Sequence, residues 1–141
     1  MKEKILVATT KTIIRFSEVD SMGVVWHGNY IKYLEDGREA FGDKYGLDYL
    51  TVYKNNYFTP LVNINCNYKQ ILRYGDTAII KTKYIDCNAA KLKFEYEIFR
   101  GSDNELVTTA ESVQVYVNLK GELILTLPPF IVEWKRKMGL I

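Results

Sequence analysis

A chain of 141 residues, 48% of them hydrophobic, is long and apolar enough for one domain with a real core, residues 1–141, and excludes a disordered composition. Its 19 basic and 17 acidic residues leave a net charge of +2, which gives no support to nucleic-acid binding through bulk electrostatics. Cys66 and Cys87 have neither CxxC spacing nor a histidine nearby, so no metal is expected and two reduced thiols are the simplest state.

Residues 1–8 hold two lysines and a short apolar run, which does not read as a signal peptide. No apolar run reaches the ~18 residues that a membrane span needs, so a cytoplasmic location is expected. A strand is expected over 8–16, then a loop over 17–29. A helix is expected over 30–45, with Tyr30, Leu34, Phe41 and Tyr45 on one stripe and Gly46 as its stop. Gly37 inside it costs about 1 kcal/mol relative to Ala, which points to close contact with a neighbouring element. Residues 47–56 read as a short helical turn or loop.

The period then changes from 3.6 to 2. Ile64, Cys66 and Tyr68 alternate with polar residues in a strand over 58–70, with Pro60 near its start. Strands over 77–86, 91–100 and 105–119 follow, separated by turns at 73–76, 87–90 and 101–104, with Val113, Val115 and Val117 on one face of the last. Pro128 and Pro129 open a closing helix over 130–138. The order is strand, long helix, four antiparallel strands and a terminal helix, an α+β arrangement.

The chemistry-bearing stretch is the strand-to-helix loop Asp20-Ser21-Met22-Gly23-Val24-Val25-Trp26-His27-Gly28-Asn29-Tyr30. It contains an acid, a glycine, the only histidine and Asn29, a residue type favoured at helix N-caps. Free backbone donors at a helix start can bind an anion. The same residues also suit an ordinary turn, with Trp26 and Tyr30 in the core.

The spacing Asp20-x-x-Gly23-Val24-Val25-Trp26-His27-x-Asn29-Tyr30, with Glu35 on the following helix, resembles the 4-hydroxybenzoyl-CoA thioesterase family. The motif covers residues 14–46, and the element order extends the likeness over nearly the whole chain. The resemblance implies a hotdog fold, an antiparallel sheet of five to six strands wrapped around one long central helix. It also implies an acyl-CoA thioesterase that uses water and no cofactor.

On that resemblance Asp20 is the catalytic carboxylate, as general base or as nucleophile, both of which remain open. The backbone N–H of His27 is the oxyanion donor, and its imidazole binds the thioester or positions water. Gly23 lets the loop backbone approach the thioester. Val25, Trp26, Asn29, Tyr30, Glu35 and Phe58 complete the pocket, with Asn29 capping the helix and Glu35 accepting a hydrogen bond from the loop. Glu18 reads as a solvent-facing charge. Arg73, Lys91 and Lys93 are phosphate-binding candidates by residue type.

The thioester carrier is CoA or an acyl carrier protein. The family pattern further implies a homodimer joined edge to edge, or a homotetramer of two such dimers, with residues near 61–65 of a second subunit at each site. Two competing readings are a hydroxyacyl-thioester dehydratase on the same fold and a non-catalytic acyl-thioester-binding protein.

Overall fold

The computed structural model describes residues 4–141; Met1, Lys2 and Glu3, part of the segment read above for a signal peptide, lie outside the described residues. The elements are β1 (Val7–Ile13), α1 (Asn29–Tyr45), α2 (Tyr49–Lys54), β2 (Tyr57–Phe58), β3 (Leu61–Tyr68), β4 (Thr77–Ile85), β5 (Lys91–Arg100), β6 (Leu106–Asn118), β7 (Leu123–Ile124) and α3 (Pro129–Lys137). All pairings are antiparallel. β1, β4, β5 and β6 lie side by side, and β3 and β2 in turn pair with the other edge of β6. β7 takes up the β6 edge beyond Val115, where β5 stops.

Five long strands thus lie around one 17-residue helix, the helix-in-sheet arrangement expected from the motif. Gly46 ends α1 as expected, with φ of 81° and its N–H bonded to the Gly42 carbonyl. Gly37 meets the sheet: a Cβ there would run into Thr82 Oγ1 and Ile80 Cγ2, so the helix axis lies closer to β4 than any side chain would permit. Phe41, fully buried, meets Tyr45, Tyr84, Phe94 and Trp134 tilted, stacked or edge-on, with ring centroids 4.7–6.5 Å apart. α3 is tied to this cluster by Trp134 Nε1, which donates to the Tyr45 carbonyl at 2.7 Å.

Two strand expectations need correction, and two features add to them. The first strand ends at Ile13, because the chain turns through a short 3-10 segment at Phe16–Glu18 that leaves Phe16 exposed. The strand expected over 58–70 is two strands, β2 and β3, parted by Thr59 and Pro60, since Pro60 has no N–H to donate to a ladder. β7 is an addition. Val113, Val115 and Val117 do share a face, but the fully buried face of β6 is Thr108, Ala110, Ser112, Gln114 and Tyr116. Polar atoms under the helix are partly paired by one another: the Tyr96 hydroxyl shares a hydrogen bond with Ser112 Oγ and accepts one from Arg38 at 3.1 Å.

Candidate active site

Between β1 and α1 the chain folds into a small antiparallel hairpin. Val19 bridges Val25, and Val24 bridges Arg73 in the segment before β4. The reversal itself is tight: Asp20 N–H donates to the Val24 carbonyl at 2.8 Å, and Gly23 N–H to the Asp20 carbonyl at 2.9 Å. Gly23 has φ of 76°, a region that a Cβ disfavours, which explains a glycine at this position of the motif. Val25 N–H donates to the Leu72 carbonyl at 2.8 Å and Tyr74 N–H to Gly23 at 3.2 Å, so the hairpin is stitched to residues 72–74.

Asp20 sits at the hairpin tip, half-buried. Its Oδ1 accepts from Met22 N–H at 2.8 Å, which orients the carboxylate by a local Asx turn. Its Oδ2 makes no hydrogen bond among the described residues.

Glu18 is not solvent-facing. It is 5% exposed, its Oε1 accepts from Arg15 N–H at 2.8 Å, and its carbonyl accepts from Trp26 N–H at 3.1 Å. It closes the loop base, where the backbone donors would otherwise be unpaired. Burial, and next the Glu18 carboxylate, push the Tyr33 hydroxyl above its ordinary range.

The hairpin delivers the chain to α1 with His27 and Gly28 just outside the helix. Among the described residues neither backbone N–H has a partner, whereas Asn29 N–H and Tyr30 N–H turn back to the carbonyls of Trp26 and His27. The His27 carbonyl also accepts from the Tyr68 hydroxyl at 3.1 Å, which brings β3 to the loop. The His27 imidazole is exposed and packs against the Trp26 indole at 4.8 Å. That indole lies across Gly28, where a Cβ would collide with its ring.

Asn29 is buried and does not cap α1. Gly28 holds the N-cap position, and Asn29 Nδ2 donates instead to the Glu18 carbonyl at 2.8 Å, which pulls it inward. Tyr30 is a core residue, edge-on to Tyr33 and Tyr68 at 5.8 and 5.1 Å. Burial raises its hydroxyl above the usual range.

Glu35 and Phe58 are elsewhere. Glu35 makes no hydrogen bond to the loop among the described residues; with Phe58 it lines a groove of about 740 Å³ between α1, α2 and the β2 end of the sheet. Its apolar wall includes Phe41, Val52, Leu92, Phe94 and Val117, and Arg38 and Gln114 also line it. Asp20 and His27 do not line this groove. The residue types of Arg38, Gln114 and Tyr68 carried no signal that set them apart; for Arg38 the readable clue was its place one turn after Glu35 on α1.

Of the phosphate-binding candidates, Arg73 is beside the hairpin. Lys91 and Lys93 start β5, whose other end, Arg100, reaches the Ile71 carbonyl at 2.6 Å; seven to nine residues of strand put them about 20–30 Å away. Cys66 and Cys87 are both unpaired thiols. No helix among the described residues is long and apolar enough to cross a membrane.

Residues 14–135 match the family model of the thioesterase-like superfamily. A putative acyl-CoA thioesterase, YneP of Bacillus subtilis, is 36% identical over 105 residues, covering 74% of this chain and 75% of its own. A 4-hydroxybenzoyl-CoA thioesterase of Pseudomonas is 26% identical over 120 residues, covering 81% and 85%. Among solved structures, a DHNA-CoA thioesterase from Staphylococcus aureus superposes with a TM-score of 0.84 at 27% identity over 95% of this chain and 91% of its own.

Proposed function

The chain belongs to the thioesterase-like superfamily and is a hotdog-fold acyl-CoA thioesterase, and on that premise we propose that Asp20 activates the attack on the thioester carbonyl. The observation that carries this reading is the hairpin: among the described residues it carries an acid with one unbonded carboxylate oxygen and runs into a helix start with two unbonded backbone donors. Asp20 acts as general base toward water or as nucleophile. The His27 N–H, with Gly28 N–H beside it, receives the oxyanion; one such donor contributes about 2.7–4 kcal/mol. The His27 side chain and the Trp26 indole form the mouth, with no required proton transfer by the imidazole. Val25 and Tyr30 support the loop from the core, and Asn29 fixes it to Glu18. Glu35 and Phe58 belong to the acyl groove. Water is the only co-reactant, and no cofactor enters.

The site is completed by a second copy. Among the described residues β3 pairs with β6 on one edge only, and its Leu61 and Val62 are exposed. An open edge of eight residues is a ready pairing surface, which supports edge-to-edge joining into a dimer or a tetramer of dimers. The groove of one protomer then receives the acyl group processed at the hairpin of its partner. Arg73, beside the hairpin, is the candidate for a CoA phosphate, or for the phosphopantetheine of an acyl carrier protein. The unpaired thiols suit a cytoplasmic location, and residues 1–141 act as one domain.

A panel of acyl-CoA thioesters tests the reading. Free acid and free CoA are expected in equal amounts, without enoyl product. Enoyl-CoA with no free CoA would replace it by the dehydratase reading. Light scattering is expected to give the mass of a dimer or tetramer, and a monomer would contradict the shared site.

A further inference from the structure

Among the described charged residues lining the groove, Arg38 is the one cation, and Glu35, Glu39, Asp43 and Asp48 supply four carboxylates. Arg38 nevertheless pairs with none of them: no carboxylate of the described residues comes within 4.0 Å of its guanidinium. It turns inward instead. One N–H donates to the buried Tyr96 hydroxyl at 3.1 Å, and Tyr96 is held in turn by Ser112. A guanidinium has five donors in a rigid fork, so most of the set is uncommitted while its direction is fixed.

A second observation comes from Gln114 on the same wall, two residues along β6 from Ser112 and on the same face. Its Nε2 donates to the Thr59 carbonyl at 2.7 Å, an acceptor-only group, which fixes the amide orientation. Its Oε1 is buried and has no partner among the described residues. An unmet buried acceptor is costly, so a ligand donor there is favoured. The inner wall of the groove therefore offers unfilled donors and an unfilled acceptor.

We propose that Arg38, supported by Gln114, is a specificity-determining residue that reads a neutral oxygen substituent on the acyl group. A hydroxyl fits both, accepting from Arg38 and donating to Gln114. A carboxylate on the acyl group is disfavoured, because four acidic side chains on the groove outweigh one arginine. Tyr96 is a positioning residue that aims the guanidinium. This rests on the acyl-CoA thioesterase reading and on the groove as its acyl site.

The test compares kcat/KM within acyl-CoA sets of one size: butyryl, 3-hydroxybutyryl and succinyl, then benzoyl and 4-hydroxybenzoyl. The two hydroxylated substrates separate aliphatic from aromatic acyl groups. In at least one set the hydroxylated member is expected to be favoured about tenfold or more over the plain one, the size of one hydrogen bond to a charged group, with succinyl disfavoured. Arg38→Met, which keeps the stem, is expected to bring the ratio within about twofold, and Arg38→Lys to keep part of it. Circular dichroism checks folding; should Arg38→Met not fold, Tyr96→Phe is expected to lower the ratio instead.

A wild-type ratio near one in both sets, a ratio that survives in folded Arg38→Met, or a preference for succinyl would overturn the proposal. Equal CoA release within each set overturns it while leaving the thioesterase reading intact; no release from any substrate defeats both.

Discussion

Gly28→Ala separates what the loop does for the fold from what it does for catalysis. Gly28 has φ of −66° and ψ of −23°, ordinary right-handed helical values, so the backbone accepts alanine without strain. Alanine there also restricts the unfolded chain, a gain of about 0.4–1 kcal/mol. The obstacle is the Trp26 indole, whose ring occupies the place of the new Cβ. Trp26 is 54% exposed, so its ring can swing outward without rearrangement of the core. Burying roughly half an indole covers on the order of 100 Å², or about 2.5 kcal/mol at ~25 cal/mol/Å², if the ring left altogether. A slide by one methyl width forfeits a fraction of that, comparable with the backbone gain.

Melting temperature is therefore expected to change by less than about 3 °C. Activity is expected to fall about 100-fold, because the displaced ring lies against His27 at the mouth of the site and misplacement by about 1 Å has that cost. Thermal melting, tryptophan fluorescence and CoA release with a thiol reagent measure the three effects. A shift in fluorescence with unchanged activity would refute a role for the indole. A drop in melting temperature beyond about 6 °C would refute the claim that Trp26 is dispensable to packing.

Gly37→Ala is expected to destabilise. The gain in helix propensity of about 1 kcal/mol is set against overpacking of about 1–3 kcal/mol on Thr82 and Ile80, for a net loss of up to ~2 kcal/mol and several degrees in a melt. Asp36→Asn is expected to raise stability at pH 7 and to do nothing at pH 3. Partial desolvation of this largely exposed carboxyl first, then Glu39, Glu18 and Glu35, raise Asp36 in the folded state. The native protein therefore holds that proton to higher pH than the unfolded chain does, and stability falls as pH rises above the unfolded value. A melt at the two pH values checks this, and an equal effect at both would contradict it.

Much of the architecture was legible because the patterns were local. The stripe on α1, the stop at Gly46 and the hairpin turn at 101–104 each follow from residue types within a few positions. Gly37 was legible as a contact because a glycine inside a helix has a cost that packing must offset. What failed was set by tertiary partners. Asn29 has the chemistry of a cap, but the Glu18 carbonyl, 11 residues away, claims its amide. Glu18 looks like a surface acid until the Arg15 backbone and the loop close over it. Val113, Val115 and Val117 share a face as expected, but nothing in that pattern revealed that the buried face carries Ser112 and Gln114, whose Oγ and Nε2 pair with Tyr96 and Thr59. The motif put Asp20 and the helix start on one loop; nothing in its spacing revealed that Glu35 and Phe58 line a groove that Asp20 does not.

The central claim is that the Asp20 carboxylate performs the chemistry, and Asp20→Asn tests it most directly. Asparagine keeps an oxygen that can accept from Met22 N–H, so the hairpin and the melting temperature are expected to persist. What it removes is the charge and basicity that activate water or form an anhydride. With the best substrate of the acyl-CoA panel, kcat is expected to fall about 10²–10⁴-fold while the folded protein still binds the thioester. A folded Asp20→Asn protein that releases CoA at the wild-type rate would contradict the account.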